Sequence, residues 1–539
     1  MPKIKFDKNW LEVLLLLLFV GILFFVNIAQ SGGYEISHTH PVGYGATDCF
    51  YTLTVCNYVK DVGNYANQPS YMAAGFEDTI GYLPPLIHHL TAIFSNISGM
   101  EIHDSLSFLV VTFFTLIALV MYLTIRDLNP NMAILSLPFM LGVYHHTFTI
   151  PIAWGHWMLI VGSLFLACSI WTMTRLKDKY SFLLLAIFLT GAALGHTSEL
   201  IFAIGFLAFY LLVTYLTKGL KTETLTKVGY GLLISLILSA YYLIIFRYTW
   251  MVSMPYKFGI SLDVGTGFPI VKFSYFSFVA PLIVAGIIVS FLQKKKYSAA
   301  VLGGIYILLI GYTNYIGFGM RAFQTRELWP IYLAVFPGMF LYFLAKKGLK
   351  KWDTNYSIAA AMLLLLLFTG FHLDKRSTGL MNEFDWDGLQ WVDENVPKDS
   401  QVLFWYGAIT SQDAALHSAK MATFSVDQQS MISAIQKGEI KRIYNLRLAM
   451  LPDTRLPYRK GLFDFGYHFT EEDIKRQTDL DICTMDYIYF NKAGMAPVLI
   501  QYGLAVREHL LTKEWFEEIY SNEHVSIIKN GRPGDVCIG

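Results

Sequence analysis

Charge is what this sequence lacks most. Of its 539 residues only 15% are Asp, Glu, Lys or Arg, while 54% are hydrophobic. A water-soluble domain carries roughly 25% charged residues, so a mean hydropathy of +0.45 makes a bilayer the main solvent. Neither sign is in excess: 41 basic residues face 40 acidic ones, and no Lys/Arg block could neutralise a run of phosphates. Nucleic acid is thereby excluded as a partner. Cysteine is sparse. The five, Cys49, Cys56, Cys168, Cys483 and Cys537, include no C-x-x-C pair, which excludes a zinc ribbon or a thioredoxin-like centre. An internal repeat is also missing, and the charges gather at the outer ends of the apolar runs rather than at their middles, the reverse of a transporter's pattern.

What is present is a succession of apolar runs of about 17 to 25 residues, the length that crosses hydrocarbon. They lie near residues 10–30, 106–126, 131–146, 157–174, 181–196, 198–217, 228–247, 271–292, 298–316, 329–345 and 355–372. This predicts a polytopic α-helical membrane domain of about eleven transmembrane helices over residues 1–372, with a long first outer loop, 31–105. A mixed α/β soluble domain over residues 373–539 follows. With the N-terminus inside, seventeen basic residues from Lys3 to Lys351 fall in the inner segments. Six, Lys60, Arg247, Lys257, Lys272, Arg321 and Arg326, fall in the outer ones. The positive-inside rule then gives a multi-pass protein of the plasma membrane with a cytoplasmic N-terminus and an extracytoplasmic C-terminal domain. Lys3, Lys5 and Lys8 precede the first run as in a signal peptide, but its length and the poor cleavage sequence Ala29-Gln30-Ser31-Gly32 favour a retained anchor.

Inside the outer loop, helical stretches are expected from Phe50 to about Val62 and from Pro84 to about Ile97, with Pro84-Pro85 suiting a helix start. Both suit a helix lying at the membrane interface. On such a helix Cys49 and Cys56 stand ~10 Å apart, too far for a disulfide. Cys483 and Cys537, if outside the cytoplasm, are free to oxidise. The C-terminal domain reads as a helix at Trp386–Asn395, strands at Gln401–Trp405 and Asp486–Phe490, a helix around Val498–Leu511 and a hairpin near Trp515–Lys529.

Ionisable residues at the outer surface are the candidates for chemistry, since charge near hydrocarbon is costly. Asp48 follows Gly43-Tyr44-Gly45-Ala46-Thr47, glycines that let the chain fold back over the membrane. It suits a general base or a metal ligand beside a phosphate; capping the helix at Phe50 is the equal alternative. Glu77 and Asp78 are adjacent carboxylates that are either solvated or substrate-facing. His145, His146 and His156 flank one short outer loop, which suits metal ligation by Asp48, His145 and His146, or interfacial anchoring beside Trp154 and Trp157. His196 and Glu199, three apart, share a face if their turn is helical, as a functional pair or as a headgroup-level cap. Arg321 and Arg326 flank a loop ahead of Trp329-Pro330. Their planar forks suit a lipid-linked phosphate; pairing with Glu327 or with ordinary phospholipid is the alternative.

Taken together, Asp48 in the first outer loop, the segment Tyr82-Leu83-Pro84-Pro85 before an interfacial helix, and Arg326-Glu327-Leu328-Trp329-Pro330-Ile331-Tyr332 before a late helix resemble the GT-C superfamily of membrane glycosyltransferases. That superfamily includes the oligosaccharyltransferase catalytic subunit, protein O-mannosyltransferases and aminoarabinose transferases. The opening of the outer domain from Trp386 to Val402 is similar to the helix-then-strand entry of prokaryotic members. The resemblance implies that Asp48 is the catalytic base or a metal ligand, that Tyr82 lies at the substrate site, that Arg326 contacts a phosphate, and that the donor is a polyprenyl- or dolichyl-phosphate sugar. The sequence departs from the oligosaccharyltransferase in two places. Phe404-Trp405-Tyr406-Gly407 stands where that subunit has Trp-Trp-Asp-Tyr-Gly, and His145-His146 replaces an Asp-x-Asp pair. Both departures argue against en bloc transfer to asparagine and weaken the case for a divalent metal; no other cofactor is implied.

The expected function is therefore an inverting sugar transfer on the outer membrane face to a glycan, lipid or protein acceptor, among membrane lipids as neighbours. A lipid-linked glycan ligase or polymerase, and a non-catalytic transporter, are the alternatives.

Overall fold

A computed structural model describes residues 10–32, 35–73, 76–144, 150–247, 274–293, 297–313, 326–349, 352–372 and 379–405. In the C-terminal part it describes 418–421, 424–425, 437, 442–444, 457–461, 463–468, 479–493 and 497–538. Every apolar run of the sequence is helical in its described part. Among the described residues five helices are long and apolar enough to cross a membrane, Ile102–Leu128, Trp157–Arg175, Thr197–Lys218, Thr222–Phe246 and Arg326–Gly348; six more apolar helices are shorter in their described parts. The solvent such helices need is visible on their outer faces. Leu216, Ile237 and Leu366 are each about two-thirds exposed or more, an arrangement that water penalises and lipid does not.

In chain order the helices are α1 (Trp10–Gly32), α2 (Thr47–Val62), α3 (Leu86–Ser98), α4 (Ile102–Leu128), α5 (Pro130–Met140), α6 (Ile150–Ala153), α7 (Trp157–Thr172), α8 (Ser181–Gly195), α9 (Thr197–Lys218) and α10 (Thr222–Phe246). After them come α11 (Ser274–Leu292), α12 (Ala299–Ile310), α13 (Trp329–Tyr332), α14 (Val335–Gly348) and α15 (Thr354–His372). Their ends carry the expected punctuation. Asn129 accepts a hydrogen bond from Met132 N at 3.1 Å ahead of Pro130 at the first turn of α5, satisfying a donor that the helix start would leave unpaired. One end of the bundle is tied by ion pairs: Arg126 Nε to Glu12 Oε1 at 2.6 Å joins α1 to α4, and Arg175 Nη2 to Asp127 Oδ1 at 2.9 Å joins the turn after α7 to α4.

The C-terminal part is built on α16 (Glu383–Asn395) and α17 (Pro497–Leu511), with strands β1 (Val402–Trp405), β2 (Phe424–Ser425), β7 (Tyr487–Asn491), β8 (Phe516–Ser521) and β9 (Val525–Asn530). These form one sheet in the order β2-β1-β7-β9-β8, with β1 parallel to β2 and β7, and β9 antiparallel to β7 and β8. All four residues of β1 are buried, as a central parallel strand requires. Asn382 and Asp385 form a reciprocal capping box at the start of α16. Cys483 and Cys537 are disulfide-bonded, with Cα atoms 5.4 Å apart. Two small antiparallel pairs complete the described strands: β3 (Arg442–Tyr444) with β6 (Asp479–Asp481), and β4 (Pro457–Arg459) with β5 (Phe465–Tyr467).

The segment between α1 and α4 ties these parts together. Leu380 N donates to Tyr44 O at 2.8 Å, and Ile80 N donates to Pro457 O at 2.8 Å. The His468 ring is sandwiched between Phe76, 4.1 Å away, and Tyr458, 4.7 Å away.

Candidate functional site

Asp48 lies one residue inside α2. The helix begins at Thr47, and its N-cap is Ala46, which offers no side-chain cap. The capping alternative for Asp48 is therefore corrected: the helix starts three residues earlier than the expected Phe50, which moves Asp48 into the first turn. There its carboxylate is exposed and favoured by the positive end of the helix dipole. The turn is clamped onto the chain ahead of α7. Gly45 N donates to Ala153 O at 2.8 Å, and the Cys49 thiol donates to the same oxygen at 3.3 Å. Gly155 has φ +79°, and a Cβ there would sit 2.4 Å from Cys49 N and 2.6 Å from the Asp48 carbonyl carbon. Only glycine meets both demands. Behind the clamp, Tyr44 packs edge-on to Phe50 and Trp157 and donates to His103 O at 2.9 Å.

Immediately after Gly155 comes the first of two histidine–carboxylate pairs. His156 Nδ1 lies 3.1 Å from each carboxylate oxygen of Glu327. The second pair is His196 Nδ1 with Glu199, made possible because His196 is the extended N-cap of α9 and Glu199 sits in its first turn. The pair expected from the three-residue spacing is thus formed. Glu327 lies within electrostatic reach of both His196 and Glu199. The carboxylates are the inner members, at 1% and 4% exposure, and both imidazoles are the outer ones, at 13%. Gly162 of α7 sets the approach of the second pair: a Cβ there would lie 2.8 Å from His196 Cβ and 3.1 Å from Glu199 Cβ. Tyr332 of α13 donates to Ser163 O at 3.0 Å and locks α13 across α7 beside these groups.

Arg326 adjoins Glu327 but turns inward. Its side chain is 1% exposed, its Nε donates to Gly311 O, and its Cζ lies 5.7 Å from the centre of the Tyr312 ring. Glu327, the partner named in the arginine alternative, contacts His156. Arg321, His145 and His146 lie outside the described residues. Glu77 and Asp78 are exposed, and Asp78 faces the C-terminal part, its Oδ1 2.7 Å from His468 Nε2 without the alignment of a hydrogen bond. Tyr82 is half-buried against α2, its hydroxyl 3.4 Å from that of Tyr51. Among the described residues no group of three or more His, Cys, Asp or Glu side chains is placed to hold a metal ion.

Sequence reasoning named Glu327 only as an alternative partner of the arginines and missed its contact with His156. Nothing in its neighbourhood along the chain signals His156, 171 residues away. Two other groups in the outer loop are excluded as nucleophiles: burial pushes the Cys49 and Cys56 thiols up to about 12, so neither offers thiolate near neutrality. Both are free and buried on α2, as the helical spacing requires. Burial likewise pushes His88, 3.6 Å from Cys56 Sγ, down to about 3.

In chemical terms these residues offer one exposed carboxylate, two buried carboxylates each contacting an imidazole, and a buried guanidinium. This set suits a reaction in which one reactant gives up a proton while an anion departs.

No protein-family model matches the chain. No curated protein matches it in sequence. Solved structures do match in fold. The chain superposes on ArnT from Cupriavidus metallidurans bound to undecaprenyl phosphate with a TM-score of 0.56 and 11% identity, covering 97% of this chain and 98% of that one. It superposes on the archaeal oligosaccharyltransferase AglB from Archaeoglobus fulgidus, in complex with an inhibitory peptide and a dolichol-phosphate, with a TM-score of 0.52 and 13% identity, covering 95% and 80%. With the arabinofuranosyltransferase AftD from Mycobacteria the TM-score is 0.53 at 10% identity, covering 98% of this chain and 42% of that one. All three are GT-C superfamily glycosyltransferases, and the fold of this chain is theirs.

Proposed function

We propose that this protein is a membrane glycosyltransferase that moves a sugar from a polyprenyl- or dolichyl-phosphate donor to an acceptor on the outer face of the membrane, with inversion. The observation that carries this reading is Asp48: an exposed carboxylate clamped by Gly155 at the end of the bundle where the two histidine–carboxylate pairs also lie. Inversion needs one base opposite the leaving group, and Asp48 supplies it by taking the acceptor's proton. The leaving lipid phosphate is held by Arg326 and Arg321, with His196 and Glu199 beside it. Arg326 reaches that phosphate by exchanging its present partner, the Gly311 carbonyl. Tyr82, Glu77 and Asp78 belong to the acceptor side of the first outer loop. The fold shared with proteins whose structures hold undecaprenyl phosphate or dolichol-phosphate supports the donor class.

In this reading residues 1–372 form the membrane domain and residues 373–539 an extracytoplasmic domain, and the distribution of basic residues supports that orientation. The Cys483–Cys537 disulfide supports it too, since such bonds persist in oxidising compartments.

The test is Asp48→Asn, which keeps size and hydrogen bonding and removes basicity. Turnover of a polyprenyl-phosphate sugar should fall by ~100-fold or more with the thermal unfolding profile unchanged. Full activity in the purified, folded variant would refute the role of Asp48. Loss of activity on replacing His145, His146 or Arg321, with Asp48→Asn active, would favour the ligase or polymerase alternative.

A further inference from the structure

We propose that the β4–β5 hairpin is a second membrane contact of this chain, its turn seated by Phe463 in the lipid interface beside α10. On α10 the exposed side chains Tyr230, Leu233, Ile237 and Tyr241 follow one another at spacings of three, four and four, and so form one stripe. Val228, Ser235, Ser239 and Tyr242 belong to the buried face. In a helix long and apolar enough to cross a membrane, an exposed apolar stripe faces lipid.

Tyr241 is where the hairpin meets that stripe. Arg459 Nη2 donates to the Tyr241 hydroxyl, and its Cζ lies 5.4 Å from the centre of the tyrosine ring, within reach of a cation–π contact. Tyr241 precedes the end of α10 at Phe246 by ~7.5 Å along the axis. That is the layer where tyrosine and arginine keep an apolar body in lipid and a polar tip in water.

Arg459 closes β4 and pairs with Phe465, the first residue of β5. The turn between them is drawn tight, since Lys460 N and Gly461 N both donate to Asp464 O, at 2.9 and 3.1 Å. Phe463 is two residues from Phe465, so its Cα lies at most ~7 Å from that pair. Yet Phe463 is 59% exposed. Water favours small and polar residues in a turn, and a phenyl ring left in it forgoes the free energy of burial. Continuity with the lipid stripe of α10 makes the bilayer the cover for that ring. The exposed Lys460 beside it suits the negative surface of the headgroup layer.

The seat also bears on the segment between α1 and α4. Ile80 N donates to Pro457 O at 2.8 Å, and Thr79 bridges Tyr458 in antiparallel fashion, so residues 79–80 lie along the hairpin's edge just ahead of Tyr82. Lipid that holds the turn therefore steadies this edge. The seat needs only the membrane span of α10 and stands apart from the sugar-transfer reading.

The experiment uses the full chain in nanodiscs, with a nitroxide attached to Phe463→Cys, to Ile237→Cys in the lipid stripe, or to Asp399→Cys on the exposed surface of the C-terminal part. The native cysteines are buried or disulfide-bonded. Collisions with oxygen, which dissolves in lipid, are compared with collisions with a water-soluble nickel chelate. The Phe463→Cys label should favour oxygen as the Ile237→Cys label does, at a depth of about 5–10 Å below the phosphates, while the Asp399→Cys label favours nickel. A Phe463→Cys label that follows Asp399→Cys overturns the seat, and so does one shielded from both reagents, as a protein contact would shield it. Should Phe463→Cys fail to fold, Asp464→Cys reads the same exposed turn against the same two references. In Phe463→Ser the Ile80 amide should exchange about tenfold faster, the factor lost with a half-buried phenyl ring, and in Phe463→Leu it should stay near wild type. Equal exchange in Phe463→Ser and wild type overturns the hold on residues 79–80.

Discussion

His156 and Glu327 stand 171 residues apart in sequence, yet the Nδ1 of one lies 3.1 Å from both carboxylate oxygens of the other. The contact joins the start of α7 to the turn ahead of α13, so the residue that follows the Asp48 clamp contacts the buried arginine's neighbour. Any movement of the span Arg326–Gly348 is thereby transmitted to the chain beneath Asp48.

Gly155 is the stiff point of that connection. In Gly155→Ala the added Cβ meets the backbone of Asp48 and Cys49, which cannot give way as a flexible side chain would, and φ +79° is strained for alanine. A loss of ~1–3 kcal/mol of stability is expected, accompanied by a fall in turnover larger than that of Asp48→Glu. Thermal unfolding in detergent, paired with sugar-transfer rates, measures both. Wild-type stability and turnover in Gly155→Ala would show that the clamp is loose.

Arg326→Ala should weaken donor use severely and Arg326→Lys partly, because lysine keeps the charge and loses the planar fork. Acceptor dependence should change little. The burial of Arg326 and its bond to Gly311 O add a second effect, a loss of ~1–3 kcal/mol of stability from the carbonyl left unpaired. Turnover against donor concentration separates the two: equal donor dependence in wild type and Arg326→Ala, with stability lost, would make this residue a structural support alone.

That the apolar runs form helices could be read because each is a near-continuous stretch. The His196–Glu199 pair was readable for a similar reason, as a contact three residues apart along one helix start. Contacts between distant segments were not. The partner of Glu327 depends on how α7 and α13 cross, and the parallel pairing of β1 with β7 depends on a return of the chain across some eighty residues; neither leaves a periodic trace. Arg326 shows the opposite difficulty. An arginine ahead of Trp329-Pro330 reads as a headgroup-level charge, and only the packing of Tyr312 and Gly311 around it reveals that it turns inward.

Acid should loosen the first outer loop. His88 is buried neutral with its folded value depressed to about 3, below the ~6.5 of an unfolded chain. Between those values the unfolded state binds the extra proton, so stability is complete above about pH 6.5 and falls by up to ~1.4 kcal/mol per pH unit on the way down to pH 3. The opening equilibrium of α3, taken from hydrogen exchange after division by the intrinsic rate at each pH from 7 to 4, should rise in the wild type more steeply than in His88→Gln. Parallel profiles would show that other groups govern the acid response.

The orientation can be checked directly. A single reporter cysteine at Asp399, ahead of β1, should react with a membrane-impermeant thiol reagent on intact cells. Reaction only after lysis would turn the molecule over and place Asp48 on the cytoplasmic face.

The bond from Ile80 N to Pro457 O has a consequence for how the protein is made. Residue 457 leaves the ribosome long after the first outer loop has crossed, so that loop waits through the insertion of every later helix with its edge groups facing water. Contacts of such sequence span close last, because the loop entropy of joining them is lost before any packing compensates. A chain released before the β4–β5 hairpin is therefore expected to keep its helices and the Gly45–Ala153 clamp in place, with only the Ile80 end of the loop unfastened.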